Sequence, residues 1–295
     1  MRLRIGTRRS RLALAQASEV AAMLERLGHE TELVPMVTAG DRGEPADGSP
    51  AGVKGLFVAE ITDAVLRGEV DLAVHSAKDL PVEDPEGVVV AAVPRRAAPG
   101  DLLISRDGRV EGGAVVGTSS LRRRAQLRRS RPGVTVRDLS GNVDTRLRKL
   151  ADGECDALVL AAAGLARLGI APEHAELLPT DEMVPAPGQG ALAVQAPSGG
   201  PAAEATAALE DPASRAAFEA ERGLVRRVGG GCRLPLGAYA EVDGDAVRLV
   251  AVVIRPDGSG LLRAEALADA PEAAAASAAE ELLAGGAAGI LRGAT

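Results

Sequence analysis

The sequence predicts an α/β fold in two successive parts, followed by a smaller α+β unit. Three observations carry this expectation. Short aliphatic runs alternate with longer amphipathic stretches that end at glycine, the order expected of strand–helix–strand units. Two Pro-rich segments, Pro94–Gly100 and Pro179–Gly190, interrupt the alternation, which restarts after the first. From about Asp211 the composition shifts to one long helix, a strand meander and an Ala-rich helix. The 295 residues suffice for two ordinary domains and a small third.

The elements follow in order. Leu3–Gly6 reads as a buried strand, and Ser10–Leu27 as a helix stopped by Gly28. Thr31–Thr38 is the next strand. Residues 41–55, rich in Gly, Pro and Asp at their start, read as a long mobile loop of the kind that often forms a lid. A helix runs from Gly55 to about Arg67, and strands cover Asp71–Ser76 and Val88–Val93, giving a largely parallel sheet. Beyond the first crossover come a strand at Ala114–Val116, a helix at Ser120–Arg129 and a strand at Val134–Leu139. A helix at Asn142–Leu150 and a strand at Ala157–Ala162 complete the second part, and Ala191–Gln195 can return to the first sheet. The last part holds a helix at Ala213–Val228, strands within Gly237–Ala266 and a helix at Pro271–Ala284. The expected domains are 1–95 with 190–208, then 99–186, then 212–295.

Composition excludes several function classes. The only aromatic residues are Phe57, Phe218 and Tyr239, too few for a surface that stacks bases. With 34 basic and 41 acidic residues the formal charge is -7, which opposes general nucleic-acid affinity. No apolar run reaches the ~18 residues of a membrane helix. Arginines at positions 2, 4, 8, 9 and 11 leave no room for a secretory h-region. Two cysteines are too few for a disulfide framework, so a reducing cytoplasm is expected. The three histidines and two cysteines show no metal-ligand spacing, and no metal is expected.

One internal echo locates the site. Ile5-Gly6-Thr7-Arg8 and Val116-Gly117-Thr118-Ser119-Ser120-Leu121-Arg122-Arg123 share a plan of strand, Gly-Thr and a helix start with arginines. Two similar cradles predict a ligand cleft between two domains. Arg122 and Arg123 fall in a helix's first turn, where the macrodipole disfavours cations by ~0.3–1 kcal/mol but free N–H groups suit anions. In 122–149 only Asp138 and Asp144 oppose the cations. Arg146 follows the Asn142 cap, and Arg8 follows Gly6-Thr7, in similar settings. His75-Ser76-Ala77-Lys78-Asp79 closes a strand at the edge where α/β sheets bind ligands. In an arginine-lined cleft, Asp79 can accept ligand N–H groups and stabilise a developing cation. His75 by itself reads as a packed histidine. Cys232 follows three glycines, near Arg226, Arg227 and Arg233, which favour its thiolate.

These segments, with Leu33-Val34-Pro35-Met36-Val37-Thr38, Lys54-Gly55-Leu56-Phe57, Gly141-Asn142-Val143, Thr145-Arg146-Leu147, Gly188-Gln189-Gly190-Ala191 and Gly230-Gly231-Cys232, resemble the porphobilinogen deaminase (hydroxymethylbilane synthase) family in order across nearly the whole chain. The resemblance implies two periplasmic-binding-protein-like α/β domains forming a clamp, plus a small C-terminal α+β domain. It implies a dipyrromethane cofactor, built from two substrate units and joined by a thioether to Cys232. Four porphobilinogens are then joined head to tail with loss of ammonia, and water releases hydroxymethylbilane, a precursor in haem and porphyrin biosynthesis. Asp79 matches the catalytic residue. Arg8, Ser10, Lys78, Thr118, Ser119, Ser120, Arg122, Arg123, Arg146 and Gln189 match cofactor and substrate contacts, and Lys54 and Phe57 match the lid. A cytoplasmic monomer that binds neither nucleic acid nor membrane is implied. Ser140 departs from the pattern, because the family usually carries arginine there, one of its carboxylate contacts. Two alternatives share these residues: a divergent paralogue that binds dipyrrole or tetrapyrrole carboxylates with little turnover, and a non-catalytic clamp for a small anion.

Overall fold

A computed structural model describes residues 1–37, 52–229 and 234–294, with the side chains of 52–57 left aside. In the first lobe, strands β1 (Arg2–Arg8), β2 (Glu30–Met36), β3 (Leu72–Ser76), β4 (Val88–Ala92) and β10 (Leu192–Pro197) form one sheet in the order β2-β1-β3-β10-β4. The second lobe repeats the plan with β5 (Asp101–Ser105), β6 (Val115–Gly117), β7 (Thr135–Arg137), β8 (Ala157–Ala161) and β9 (Ala175–Leu178), in the order β7-β6-β8-β5-β9. A third sheet of β11 (Leu236–Asp243), β12 (Ala246–Val253) and β13 (Leu262–Ala268) is an antiparallel meander.

The expectation of largely parallel sheets holds for strand direction, with one reversed strand in each lobe. β1 pairs in parallel with β2 and β3, and β6 with β7 and β8. β10 and β5 run antiparallel to both of their neighbours. Each is the first strand after a crossover. Register gives the physical reason: Leu192 lies opposite Ser76, and Asp101 opposite Ala161, at the C-terminal ends of β3 and β8. A chain arriving from the other lobe enters its sheet at that edge and must run back. Both crossovers therefore lie where the parallel strands end, beside the Gly-Thr cradles.

Helices cover both faces of each lobe's sheet. Helix α1 (Arg11–Arg26) begins at Ser10, whose side chain accepts from the Ala13 N–H at 3.3 Å. It buries Ala17, Val20, Ala21 and Leu24, spaced as one helical face, against Leu3, Ile5, Leu72 and Val74. Helix α2 (Gly52–Leu66) covers the opposite face with Ile61 and Val65 on Ala73. Its start corrects the expected 41–55 loop, since residues 52–55 are already helical; residues 38–51 lie outside the description. In the second lobe, α3 (Leu121–Ser130) packs Leu127 on Val116 and Val159, while α4 (Val143–Ala151) and α5 (Ala162–Arg167) place Leu150 and Leu165 against Leu158 and Leu160. The short α6 (Pro201–Thr206) follows β10. In the third unit, α7 (Pro212–Arg227) and α8 (Pro271–Ala284) bury an alanine-rich face on β11–β13, followed by α9 (Ala287–Arg292).

Candidate active site

The site grows from the second crossover. Gly188 and Gly190 have φ of 73° and 88°, the left-handed region that glycine enters without strain. A Cβ at Gly188 would stand 2.8 Å from the Lys78 nitrogen, and one at Gly190 would stand 2.4 Å from the Ala97 carbonyl oxygen. Only a bare backbone fits between the Lys78–Asp79 turn and the first crossover. Between them Gln189 is buried and bridges the lobes. Its amide donates to the Pro99 carbonyl at 2.7 Å and to Asp101 at 2.8 Å. Its Oε1 accepts from Lys78 Nζ at 3.4 Å on one lobe and from Arg123 Nη2 at 3.5 Å on the other. Two cations from separate lobes thus meet at one neutral oxygen.

Asp101 organises the second cradle. It is fully buried and accepts from Arg122 Nη2 at 2.7 Å, and from Arg123 Nη2 and Nε at 2.6 and 3.1 Å. Burial disfavours its charge, but the two guanidiniums outweigh that and hold the carboxyl well below the usual carboxylate range. Arg122 also donates to the Val184 carbonyl at 2.6 Å, and Arg123 to the Val159 carbonyl at 3.1 Å. The sequence-based view that only Asp138 and Asp144 face this cluster missed the real counter-ion, which arrives from the adjoining antiparallel strand. Both arginines are consequently fixed rather than free to swing. Arg122 Nε is buried and has no partner among the described residues.

Around this pair the helix start is complete. Thr118 is buried and accepts from the Ser120 N–H at 3.2 Å, while Ser120 caps α3 by accepting from the Arg123 N–H at 3.4 Å. Ser119 is exposed and accepts from Arg146 Nη2 at 3.1 Å; Arg146 Nε holds the Gly141 carbonyl at 2.7 Å. Burial and the adjacent Arg123 both push the Arg146 guanidinium down, so the two cations share one region. On the first lobe, Thr7 donates to the Ala13 carbonyl at 3.1 Å, setting the turn that carries Arg8 to the end of β1. Asp79 closes a single 3-10 turn after β3, half-buried beside Lys78. His75 is buried below it, as its reading as a packed histidine requires, and burial lowers its pKa to about 4 against the opposing field of Asp79.

Other expected contributors stand apart. Arg131 pairs with Glu182 and Glu176, Arg128 donates to the Pro256 carbonyl, and Arg137 to the Glu154 carbonyl. The basic 122–149 segment therefore fans outward, and only Arg122, Arg123 and Arg146 converge. Ser140 is exposed, with its carbonyl near Lys149 Nζ at 3.4 Å. Arg124 stands 3.6 Å from Asp138. Lys54 and Phe57 lie on α2 with side chains outside the description, and Cys232 with its neighbours 230–233 also lies outside it. Sequence reasoning also missed Glu221. It is fully buried on α7 and binds Arg96 of the first crossover at 2.7 Å, the Gly188 N–H at 2.6 Å and the Ala240 N–H at 2.7 Å.

Residues 3–204 match the family described as porphobilinogen deaminase, dipyromethane cofactor binding domain, and residues 216–284 match porphobilinogen deaminase, C-terminal domain. The chain belongs to the porphobilinogen deaminase family. The porphobilinogen deaminase of Rubrobacter xylanophilus is 49% identical, covering 98% of this chain and 96% of that one. That of Roseiflexus castenholzii is 46% identical over 99% of both chains. Among solved structures, an ancestral cationic amino acid solute-binding protein aligns with 70% of this chain and 87% of its own, at 15% identity and a TM-score of 0.43. The donor set suits the cofactor of the porphobilinogen deaminase family. A dipyrromethane made from two porphobilinogens carries four carboxylates and two pyrrole N–H groups. The cradles offer converging guanidinium and ammonium donors, an unpartnered buried Nε on Arg122, and one carboxylate at Asp79.

Proposed function

We propose that this chain joins four porphobilinogen molecules head to tail into hydroxymethylbilane, releasing one ammonia per addition, and that Asp79 and the converging cations carry the chemistry. The observation that carries this reading is the meeting of Lys78 and Arg123 from opposite lobes at Gln189, with Asp79 adjacent and Arg146 alongside. A dipyrromethane linked through the Cys232 sulfur supplies the pyrrole carbon to which the first substrate is joined.

The chain's own groups divide the work. Arg8, Arg122, Arg123 and Arg146 bind acetate and propionate groups, whose number grows with each addition. Asp101 holds two of these arginines in place beforehand, so less ordering remains when a carboxylate arrives. Ser119, Ser120 and the first N–H groups of α3 add neutral donors to the same carboxylates. In each addition the C–N bond to the substrate's aminomethyl nitrogen breaks, and ammonia leaves. A C–C bond then forms between that methylene carbon and the free α-carbon of the acceptor pyrrole, whose α-proton is lost. Asp79 accepts pyrrole N–H bonds and stabilises the cation left when ammonia departs. In this reading its carboxylate also takes the α-proton. Release needs water at the methylene carbon of the first-added unit. A C–O bond forms there, the C–C bond from that carbon to the cofactor's pyrrole α-carbon breaks, that α-carbon regains a proton, and the four joined units leave as hydroxymethylbilane.

A reducing cytoplasmic setting is part of this reading, because the thioether role given to Cys232 needs a reduced thiol. We take the working unit to be the monomer, because both cradles and the bridging Gln189 belong to one chain. Incubation of purified protein with porphobilinogen tests the reading. Four substrates consumed and four ammonia released per hydroxymethylbilane are expected. Cofactor-loaded protein that consumes no porphobilinogen would overturn it.

A further inference from the structure

Helix α7 connects two parts of the proposed mechanism. It ends at Arg227, and Cys232 is three residues beyond Gly229, within roughly 11 Å of it by chain length alone. The other side of α7 grips the segment that contains Asp79. Phe218 packs in one cluster with Ala77 and Leu80, the residues that bracket Lys78 and Asp79. One turn further along, Arg222 makes a two-pronged pair with Asp84, Nη1 to Oδ2 at 2.9 Å and Nη2 to Oδ1 at 3.0 Å. The same Nη2 donates to the Pro81 carbonyl at 2.9 Å, and the guanidinium lies over the Phe218 ring at 5.5 Å. The pair is mostly buried, with side-chain exposures of 14% and 25%.

Asp84 is also tied inward. It accepts from Gln195 on β10 at 3.3 Å, and Gln195 in turn accepts from Thr62 on α2 at 2.8 Å. A single line of polar contacts therefore runs from α2 through the first sheet to α7. The proposed chemistry gives none of these groups a part.

We propose that Asp84 and Arg222 are positioning residues that fix the distance between the cofactor-bearing end of α7 and the turn carrying Asp79. This rests on the functional reading above. If one carboxylate serves every addition, the reacting end must return to Asp79 while the other end stays anchored on Cys232. The separation between anchor and carboxylate then enters each step. A two-pronged guanidinium–carboxylate pair fixes both distance and angle, which one hydrogen bond does not. A displacement of about 1 Å at a reacting centre can cost on the order of 100-fold in rate.

The test uses the full chain with its cofactor attached, comparing Asp84→Asn, Asp84→Glu and Arg222→Gln with the unaltered protein. Thermal stability, adduct occupancy by intact mass, and kcat and KM per cofactor-loaded molecule are measured. Asp84→Asn is expected to load cofactor and keep KM, while kcat per loaded molecule falls about tenfold or more. Partly elongated adducts should accumulate under limiting substrate, and Asp84→Glu should recover much of the rate. Asp84→Asn carries the test if Arg222→Gln does not fold, because Arg222 keeps its Pro81 and Phe218 contacts. An Asp84→Asn protein with unaltered kcat per loaded molecule overturns the proposal, whatever its stability. Unaltered protein that neither loads nor consumes porphobilinogen refutes the functional reading instead.

Discussion

Replacing Asp101 with Asn removes one negative charge from beneath two buried guanidiniums while keeping the side-chain shape. In the native protein this carboxylate accepts three arginine bonds of 2.6 to 3.1 Å and one from Gln189 at 2.8 Å. An asparagine offers one acceptor oxygen and turns an NH2 group toward donors. Removing one partner of a buried ion pair costs about 3–5 kcal/mol, since the remaining charge stays buried without compensation. For a chain of this size each kcal/mol moves Tm by roughly 2–4 °C, so a fall on the order of 10 °C is expected at pH 7. The pH dependence has a definite sign. The folded-state carboxyl lies well below its ordinary value, so its stabilisation is present above the unfolded pKa of about 3.9 and is lost as pH falls further. The gap in Tm between the two proteins should therefore be widest near neutrality and narrow below pH ~4. Scanning calorimetry from neutral to acid pH, with the turnover rate per cofactor-loaded molecule, reads both effects. A variant with Tm within about 2 °C of the unaltered protein throughout would refute Asp101 as the counter-ion that builds the second cradle.

Asp79→Asn should keep the covalent adduct and lower turnover by ~100–1,000-fold, the scale of losing one electrostatic contact to a transition state; near-normal turnover removes Asp79 from the mechanism. Ser140→Arg should raise adduct occupancy or rate per loaded molecule, because Arg137 is held on the Glu154 carbonyl and Arg124 faces Asp138. No gain from Ser140→Arg, in a protein that already turns over well, would show that the family's arginine contact has been replaced. His75 is kept neutral mainly by burial, with its pKa pushed down to about 4 against 6.5 in the unfolded chain. The unfolded state binds more protons in that window, so His75 makes stability rise with pH between about 4 and 6.5. His75→Gln should flatten that slope, and an unchanged slope would place its origin elsewhere.

The sequence made local features legible. Ser10 and Ser120 announce helix starts because each caps a helix through its own side chain, and Gly28 marks a stop. Buried positions repeat at helical spacing in α1 and α7, so both helices are found within a few residues. The features that were missed depend on distant parts of the chain. The strands β5 and β9, absent from the sequence-based expectation, pair with each other, and β5 with β8, across long stretches of chain, and β5 owes its direction to the crossover before it. Asp101 reads as an ordinary acidic residue beside an apolar run; only the pairing of β5 with β8 brings it under Arg122 and Arg123. A signal was available in principle, because two arginines in the first turn of a helix, where the macrodipole disfavours cations, need a counter-charge from somewhere. Glu221 gave less warning, as an acidic residue on an amphipathic helix normally faces water. The converging set was legible as types and order, but not which of the many arginines would turn toward the cleft.

Intact-mass measurement of the protein after incubation with porphobilinogen, beside a Cys232→Ser variant treated alike, tests the central claim most directly. The account predicts a covalent gain of two pyrrole units on the unaltered chain, with further single-unit additions under limiting substrate, and no adduct on the variant. An unmodified native chain, or a Cys232→Ser protein that carries the same adduct, would contradict it.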